Sequence, residues 1–263
     1  MAETAPGHPE IERIVAPNPG PMTLAGTNTY IVATNDAVYV IDPGPDDPTH
    51  LAAVREAAEG RGEIAGVLLT HGHSDHTAGA ASFGAPVLWG TVAAGDETAG
   101  IEASGTPPPE IPDAVGPFAV VPTPGHAADH VCFVFGDACF CGDLILGLGS
   151  SIVPPRAGGG SLADYMDSLS RLAELELDLL APGHGPWITD PQAKIGEYTG
   201  HRLERERRLV EALAAGERSR ARLVEIVWDD VPESLRPAAA IAMQAHLEKL
   251  SEEGRLEGVE LGD

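Results

Sequence analysis

Thr70-His71-Gly72-His73-Ser74-Asp75-His76 gathers three imidazoles and a carboxylate in one short stretch. His71 and His73 stand two apart, and on extended backbone such residues point to the same side, so both can reach one metal ion. Asp75 and His76 follow as the chain turns and can address a second. Gly125-His126, Gly142-Asp143 and Gly183-His184 each place one more His or Asp directly after a glycine. Imidazole and carboxylate suit Zn²⁺, with Fe or Mn as alternatives. Asp143 can bridge two ions. Two ions about 3.5–4 Å apart lower the pKa of a water toward about 7 and polarise a carbonyl or phosphoryl oxygen. A single His at a strand end is usually a capped or core residue. Five of the chain's ten histidines in three such motifs point to a site.

These motifs need strands to aim them. Glu12–Val15, Thr29–Ala33, Ala37–Ile41, Ile64–Leu69, Pro86–Trp89, Phe118–Val121, Val131–Phe135, Ala138–Cys141 and Leu177–Ala181 are apolar or β-branched runs bounded by turn residues. The chemistry-bearing residues follow the C-terminal ends of these runs, where a layered α/β fold opens a shared cleft. Asp47-Pro48 starts a helix with Leu51, Val54, Ala57 and Ala58 on its apolar face. Ser161 with Asp164 resembles a capping box, ahead of a helix bearing Leu162, Tyr165, Met166, Leu169 and Leu172. Gly95 to Pro112 reads as a loop.

After Asp190-Pro191 the chain turns helical, with spans near 191–214, 219–228 and 234–251 and a strand-like Arg255–Leu261. Three helices and such a tail suggest a winged-helix-type module. The expected division is 1–190 for a layered α+β domain and 191–263 for the helical module.

The chain has 263 residues, 40 Asp+Glu against 16 Lys+Arg, and a net charge of −24. That length and a hydrophobic content of 43% are enough for a real core. Such acidity disfavours broad binding to nucleic acid or anionic membrane. Cys132, Cys139 and Cys141 are too few and too clustered for a disulfide framework. Met1–Glu12 has neither a basic nor an apolar leader segment, and no apolar run reaches about 18 residues. A soluble cytoplasmic protein is expected.

His71-x-His73-x-Asp75-His76, His126, Asp143 and His184 resemble the metallo-β-lactamase superfamily. The resemblance implies an αββα sandwich, two facing sheets with helices outside. It places His71, His73 and His126 on one metal, Asp75, His76 and His184 on the other, and Asp143 between them. Ile41-Asp42-Pro43-Gly44 looks like the family's early Asp-x-Gly turn, so Asp42 is expected to orient a ligand imidazole. Antibiotic-hydrolysing members often carry Cys where this chain has Asp143. Cys141 lies two residues upstream and reads as a small buried hydrophobe. His130 matches a structural position of the family. His8, His50 and His246 lack evident partners and read as surface or helix residues. Gly26-Thr27-Asn28-Thr29-Tyr30, Leu146-Gly147, Pro182-Gly183-His184-Gly185-Pro186 and His201-Arg202 resemble the β-lactamase-like protein 2 subfamily, which includes thioesterase-like hydrolases and a single-stranded-RNA endoribonuclease. Gly72 and the loop Pro154–Gly160 would reshape the pocket relative to relatives.

The reading is a hydrolase with two Zn²⁺ per chain and a metal-bridging hydroxide, acting on a small ester or thioester. Asp75 orients the nucleophile, and Tyr165 and the Ser150–Ser151 loop are candidates for lining the pocket. An endoribonuclease is the alternative. It would use the one basic stretch, residues 202–222, with seven Arg and four Glu. That stretch also reads as a solvated helix with pairs such as Glu204–Arg208. A non-catalytic winged-helix binding protein is the alternative of another class, although structural zinc sites are closed and mononuclear. The module could also act as a lid or join two copies in a homodimer.

Overall fold

The computed structural model describes residues 2–90 and 111–262. Most of the expected Gly95–Pro112 loop lies outside them. The first sheet is built from β1 (Glu3–Ala5), β2 (His8–Val15), β3 (Asn28–Ala33) and β4 (Val38–Ile41), then helix α1 (Pro48–Glu59), β5 (Ile64–Leu68), the short α2 (Ser74–Thr77) and β6 (Val87–Trp89). Its strands lie in sequence order, antiparallel up to β4 and parallel from β4 to β6. Asp47 caps α1 by accepting from the His50 N–H, with Pro48 in the first turn.

The second sheet holds β7 (Ala114–Val115), β8 (Phe118–Pro122), β9 (Val131–Phe135) and β10 (Ala138–Gly142). Helix α3 (Leu162–Ala173) leads to β11 (Leu179–Pro182), which adds parallel to β10. Ser161 caps α3 through the Asp164 N–H.

Alternation along the strands decides the layers. Tyr30, Val32, Ile41 and Leu68 of the first sheet meet Phe118, Phe133, Phe140 and Ala181 of the second. The opposite faces carry Ile31, Val40 and Val67 against α1, and Cys139, Cys141 and Leu180 against α3. The result is helix, sheet, sheet, helix.

Helix α4 (Pro191–Ala214) serves two cores. Ile195 and Tyr198 pack onto the second sheet, while Leu209 and Leu213 join α5 (Arg220–Val227) and α6 (Arg236–Glu252). The expected strand over Arg255–Leu261 does not form. Residues 255–258 are turns and 259–261 are irregular, and Gly262 just beyond makes one parallel bridge with Ser219. Among the described residues no helix is long and apolar enough to cross a membrane.

Candidate metal centre

Parallel pairing of β4 with β5 and of β10 with β11 sends the ends of those strands to one side. Asp42, Thr70-His71, Asp143 and His184 emerge there, and His126 joins them from the loop after β8. Ligating atoms of His71, His73, His126 and Asp143 lie within 4.8 Å of one another, as do those of Asp75, His76 and His184.

In the first group, His71 Nε2 is 2.9 Å and His126 Nε2 is 3.1 Å from His73 Nδ1. The other nitrogen of each outer ring has its own acceptor. His126 Nδ1 donates to the Ile152 carbonyl at 2.7 Å, and His71 Nδ1 donates to Thr70 Oγ1 at 3.0 Å. Both Nε2 atoms therefore present lone pairs to His73, and one proton there cannot serve both. A cation can.

In the second group, His76 Nδ1 donates to Asp42 Oδ2 at 2.9 Å, and His184 Nδ1 faces the Gly26 carbonyl at 3.3 Å. Their Nε2 atoms turn inward, 3.5 and 3.3 Å from Asp75 Oδ2. Asp143 stands between the groups, with Oδ2 3.7 Å from His126 Nε2 and 3.4 Å from His184 Nε2, and Oδ1 3.6 Å from His76 Nε2. Buried His76 Nε2 and Asp143 Oδ1 have no hydrogen-bond partner. Converging nitrogen lone pairs, carboxylate oxygens and orphaned buried atoms fit divalent cations.

Electrostatics agree. Burial drives the His71 imidazole well below its usual range, and burial with His126 nearby takes His73 to about 4. Both rings stay neutral, as ligands must. Burial pushes the Asp75 and Asp143 carboxyls up, but the facing imidazoles outweigh it and hold both ionised. Burial likewise opposes the charge on His76 and His184, yet the carboxylates prevail and raise them to about 9 and about 10. The second group thus carries the charge a cation would replace.

A supporting layer fixes these rings. Asp42, with φ +48° and almost no exposure, accepts from the Thr70 N–H at 2.8 Å and its hydroxyl at 2.7 Å, as well as from His76. It therefore holds His76 directly and His71 through Thr70. Thr27 Oγ1 donates to Asp75 Oδ2 at 3.0 Å. Asn28 Nδ2 donates to the Pro182 and Gly185 carbonyls, and Tyr30 Oη to Pro182, pinning the His184 turn. Ser151 Oγ donates to the Asp143 carbonyl and lies 3.3 Å from His126 Nδ1. Asp42 stands where the sequence places it, whereas Thr70, Thr27, Asn28 and Tyr30 carry no signal as supports beyond the adjacency of Thr70 to His71 and the resemblance over Gly26–Tyr30.

Some expectations hold, as for Ser150, Ser151, Cys141 and His130, and others need correction. Tyr165 does not line the cleft. It is fully buried beneath it, its hydroxyl donating to the Leu144 carbonyl, while Ser150 and Ser151 do line it. His50 is a buried partner of Thr29 Oγ1 at 2.8 Å, and His8 sits 3.5 Å from carboxylates of Glu10 and Asp137. His246 lies in the core of the C-terminal module, with both nitrogens unpaired. Glu204 pairs with Arg207, and Arg208 with Asp229. Gly72 does face the cleft, but its smallness makes room for a carboxylate: a Cβ there would meet Asp129 Oδ2 at 2.9 Å. Cys141 is buried, its thiol on the Ile145 carbonyl, and His130 is buried against Thr123.

Residues 22–85 and 102–184 match the metallo-β-lactamase superfamily. The chain belongs to that superfamily. With its clustered His and Asp side chains, this membership marks a metal-dependent hydrolase. Residues 219–260 match the β-lactamase-associated winged helix domain, which gives α5, α6 and the turns after them their module. Among relatives in the superfamily, a β-lactamase-like protein 2 homolog from Drosophila melanogaster is 33% identical, over 93% of this chain and 88% of that protein. An atrochrysone carboxyl ACP thioesterase from Aspergillus chevalieri is also 33% identical, over 86% of this chain and 73% of its own length. The fold is shared with a β-lactamase domain protein from Burkholderia ambifaria, at a TM-score of 0.75 and 20% identity, covering 96% of this chain and 88% of that one.

Proposed function

We propose that this chain hydrolyses an acyl ester or thioester, using two divalent ions, zinc by preference. His71, His73 and His126 would hold one ion and Asp75, His76 and His184 the other, with Asp143 shared. Such ions would supply an acidified water and polarise the acyl oxygen.

The observation that carries the substrate class is the cleft above the two groups. It has a volume of about 490 Å³, within the usual small-molecule range. Among the described residues its charged lining is confined to Asp75, Asp143 and the imidazoles. Among the described residues no Lys or Arg lines it. A phosphodiester backbone needs cations to hold its phosphates. A neutral acyl group does not. The thioesterase relative supports the same choice.

The chain's own residues then have defined tasks. Asp75, held by Thr27 and reaching into the cleft, orients the attacking water. The water oxygen adds to the acyl carbon, the carbon–sulfur or carbon–oxygen bond breaks, and the leaving thiol or alcohol takes up a proton. The apolar walls exclude competing water from the acyl group.

The test is turnover of acyl thioesters and esters by zinc-loaded protein. Chelation should abolish it, zinc should restore it, and Asp75→Asn should lower kcat by at least a hundredfold. Absence of turnover across the panel, or turnover indifferent to chelation, would overturn the proposal.

A further inference from the structure

Six large apolar side chains are notably exposed among the described residues, and three of them stand around the mouth of one cleft. Met22 is 52% exposed, Leu148 64% and Leu235 37%. They come from three separate parts of the chain: the loop before β3, the loop after β10, and the turn leading into α6. Isolated exposed apolar residues need no explanation, but a convergent set at a cleft does.

The collar is held in place. Arg202 of α4 donates to the Ser151 carbonyl, and Tyr198, one turn earlier, accepts from the Leu146 N–H at 2.9 Å and donates to the Gly149 carbonyl at 3.0 Å. The loop bearing Leu148 is thus clamped by α4. Further along, the Arg156 N–H donates to Glu248 at 2.9 Å and its Nε to Glu252 at 2.6 Å, tying the loop's far end to α6. Leu235 immediately precedes α6. The C-terminal module is therefore docked on the cleft it helps to line.

We infer that Met22, Leu148 and Leu235 form a collar for an extended apolar acyl chain, and that Leu235 makes the C-terminal module a determinant of acyl specificity. This rests on the acyl-hydrolase reading above. The occupant follows from position and charge. The collar is continuous with the cleft holding Asp75 and His184, so what it grips is the same molecule that reaches those groups. No cation in the described lining invites a phosphate, and the walls are apolar. Each methylene buried in such a collar is worth about fourfold in kcat/KM or binding.

The experiment uses the zinc-loaded full chain, with acetyl, hexanoyl and decanoyl pantetheine thioesters as substrates and acetate and decanoate as calorimetric ligands. Leu235→Ser, at a partly exposed position, is compared with Leu203→Ser, an exposed site on α4 outside the cleft lining. Wild type and Leu203→Ser should favour decanoyl over acetyl by at least tenfold in kcat/KM, and decanoate should bind more tightly than acetate. Leu235→Ser should lose at least fivefold on the decanoyl substrate and on decanoate, and less on the acetyl substrate and on acetate, so that its chain-length preference shrinks while that of Leu203→Ser does not. Chain-length-dependent binding without thioester turnover would sustain the collar while the reaction assignment falls. Equal preference for short and long chains, or a Leu235→Ser profile matching wild type in both readouts, would overturn the inference.

Discussion

Asp42 Oδ2 lies 2.9 Å from His76 Nδ1, and both side chains are shut away from water. The same oxygen accepts from the Thr70 hydroxyl, which in turn receives the His71 Nδ1–H. One carboxylate thus sets the tautomer of one imidazole in each group. Asp42→Asn keeps the shape, and Asn tolerates the positive φ of this turn. It places an amide where His76 needs an acceptor. Metal affinity should fall by about 10–100-fold. Competition titration against a chelator measures it, and wild-type affinity in the variant would refute the role.

Thr27→Val removes two side-chain hydrogen bonds, one of them at the reacting end of the site. Thr27 Oγ1 accepts from Asn18 Nδ2 and donates to Asp75 Oδ2, both at 3.0 Å. Thr27 is fully buried, and valine fills the same space. A hydrogen bond to a charged group contributes about 1.5–3 kcal/mol, so kcat should drop by about 10–100-fold. Metal content should not change, and Thr27→Ser should recover most of the rate. Loss of metal in the valine variant would instead make Thr27 a scaffold for the whole site.

The arginines of 202–222 are already engaged. Arg202 and Arg205 bond the Ser151 and Val227 carbonyls, with Asp230 also on Arg205. Arg207 takes Glu204 and Glu211, Arg208 takes Asp229, and Arg222 takes Glu225. Arg218 bonds the Leu213 carbonyl and Arg220 the Gln244 side chain. Phosphate contacts would have to displace these partners. Binding of unstructured RNA to the intact chain should therefore be weak, with a log K against log salt slope smaller in magnitude than about 2. A steep slope that flattens in Arg207→Ala and Arg222→Ala would restore the nucleic-acid reading.

The sequence exposed most of what lies on strands and little of what joins them. His71, His73, Asp75 and His76 announce themselves because metal chemistry restricts both residue type and spacing, and the apolar runs before them mark the strands. Asp42 was legible through a family turn. Thr27 and Arg202 were not, because a Thr or an Arg has many uses and their partners, Asp75 and Ser151, lie 48 and 51 residues away. Tyr165 misled for a related reason. Its helical face was read correctly as apolar, but periodicity does not say whether the hydroxyl reaches the cleft or the Leu144 carbonyl beneath it. Arg255–Leu261 has apolar alternation, but among the described residues its only strand-like contact is the Ser219–Gly262 bridge beside it, so 255–258 settle as turns.

His246 offers a test of the C-terminal module by pH. Its ring lies 1% exposed in α6, with its centroid 5.9 Å from that of Trp228, and neither nitrogen has a hydrogen-bond partner. Burial, reinforced by Arg202, His201 and Arg205 of α4 and by Lys249 of its own helix, takes it down to about 3. The unfolded chain protonates His246 near its ordinary value, about 6.5, while the folded chain resists until about pH 3. Between those limits the unfolded state binds more protons, so stability falls as the pH drops through that window and is fully retained above it. At pH 5 the contribution is about 2 kcal/mol. His246→Leu should fill the same apolar space without titrating. Urea unfolding of both proteins at pH 7.5 and pH 5 isolates this group from the other buried histidines, which are common to both. The variant's stability relative to wild type should rise by about 2 kcal/mol on going to pH 5. An unchanged difference would mean that water or a proton acceptor reaches His246 in the folded chain.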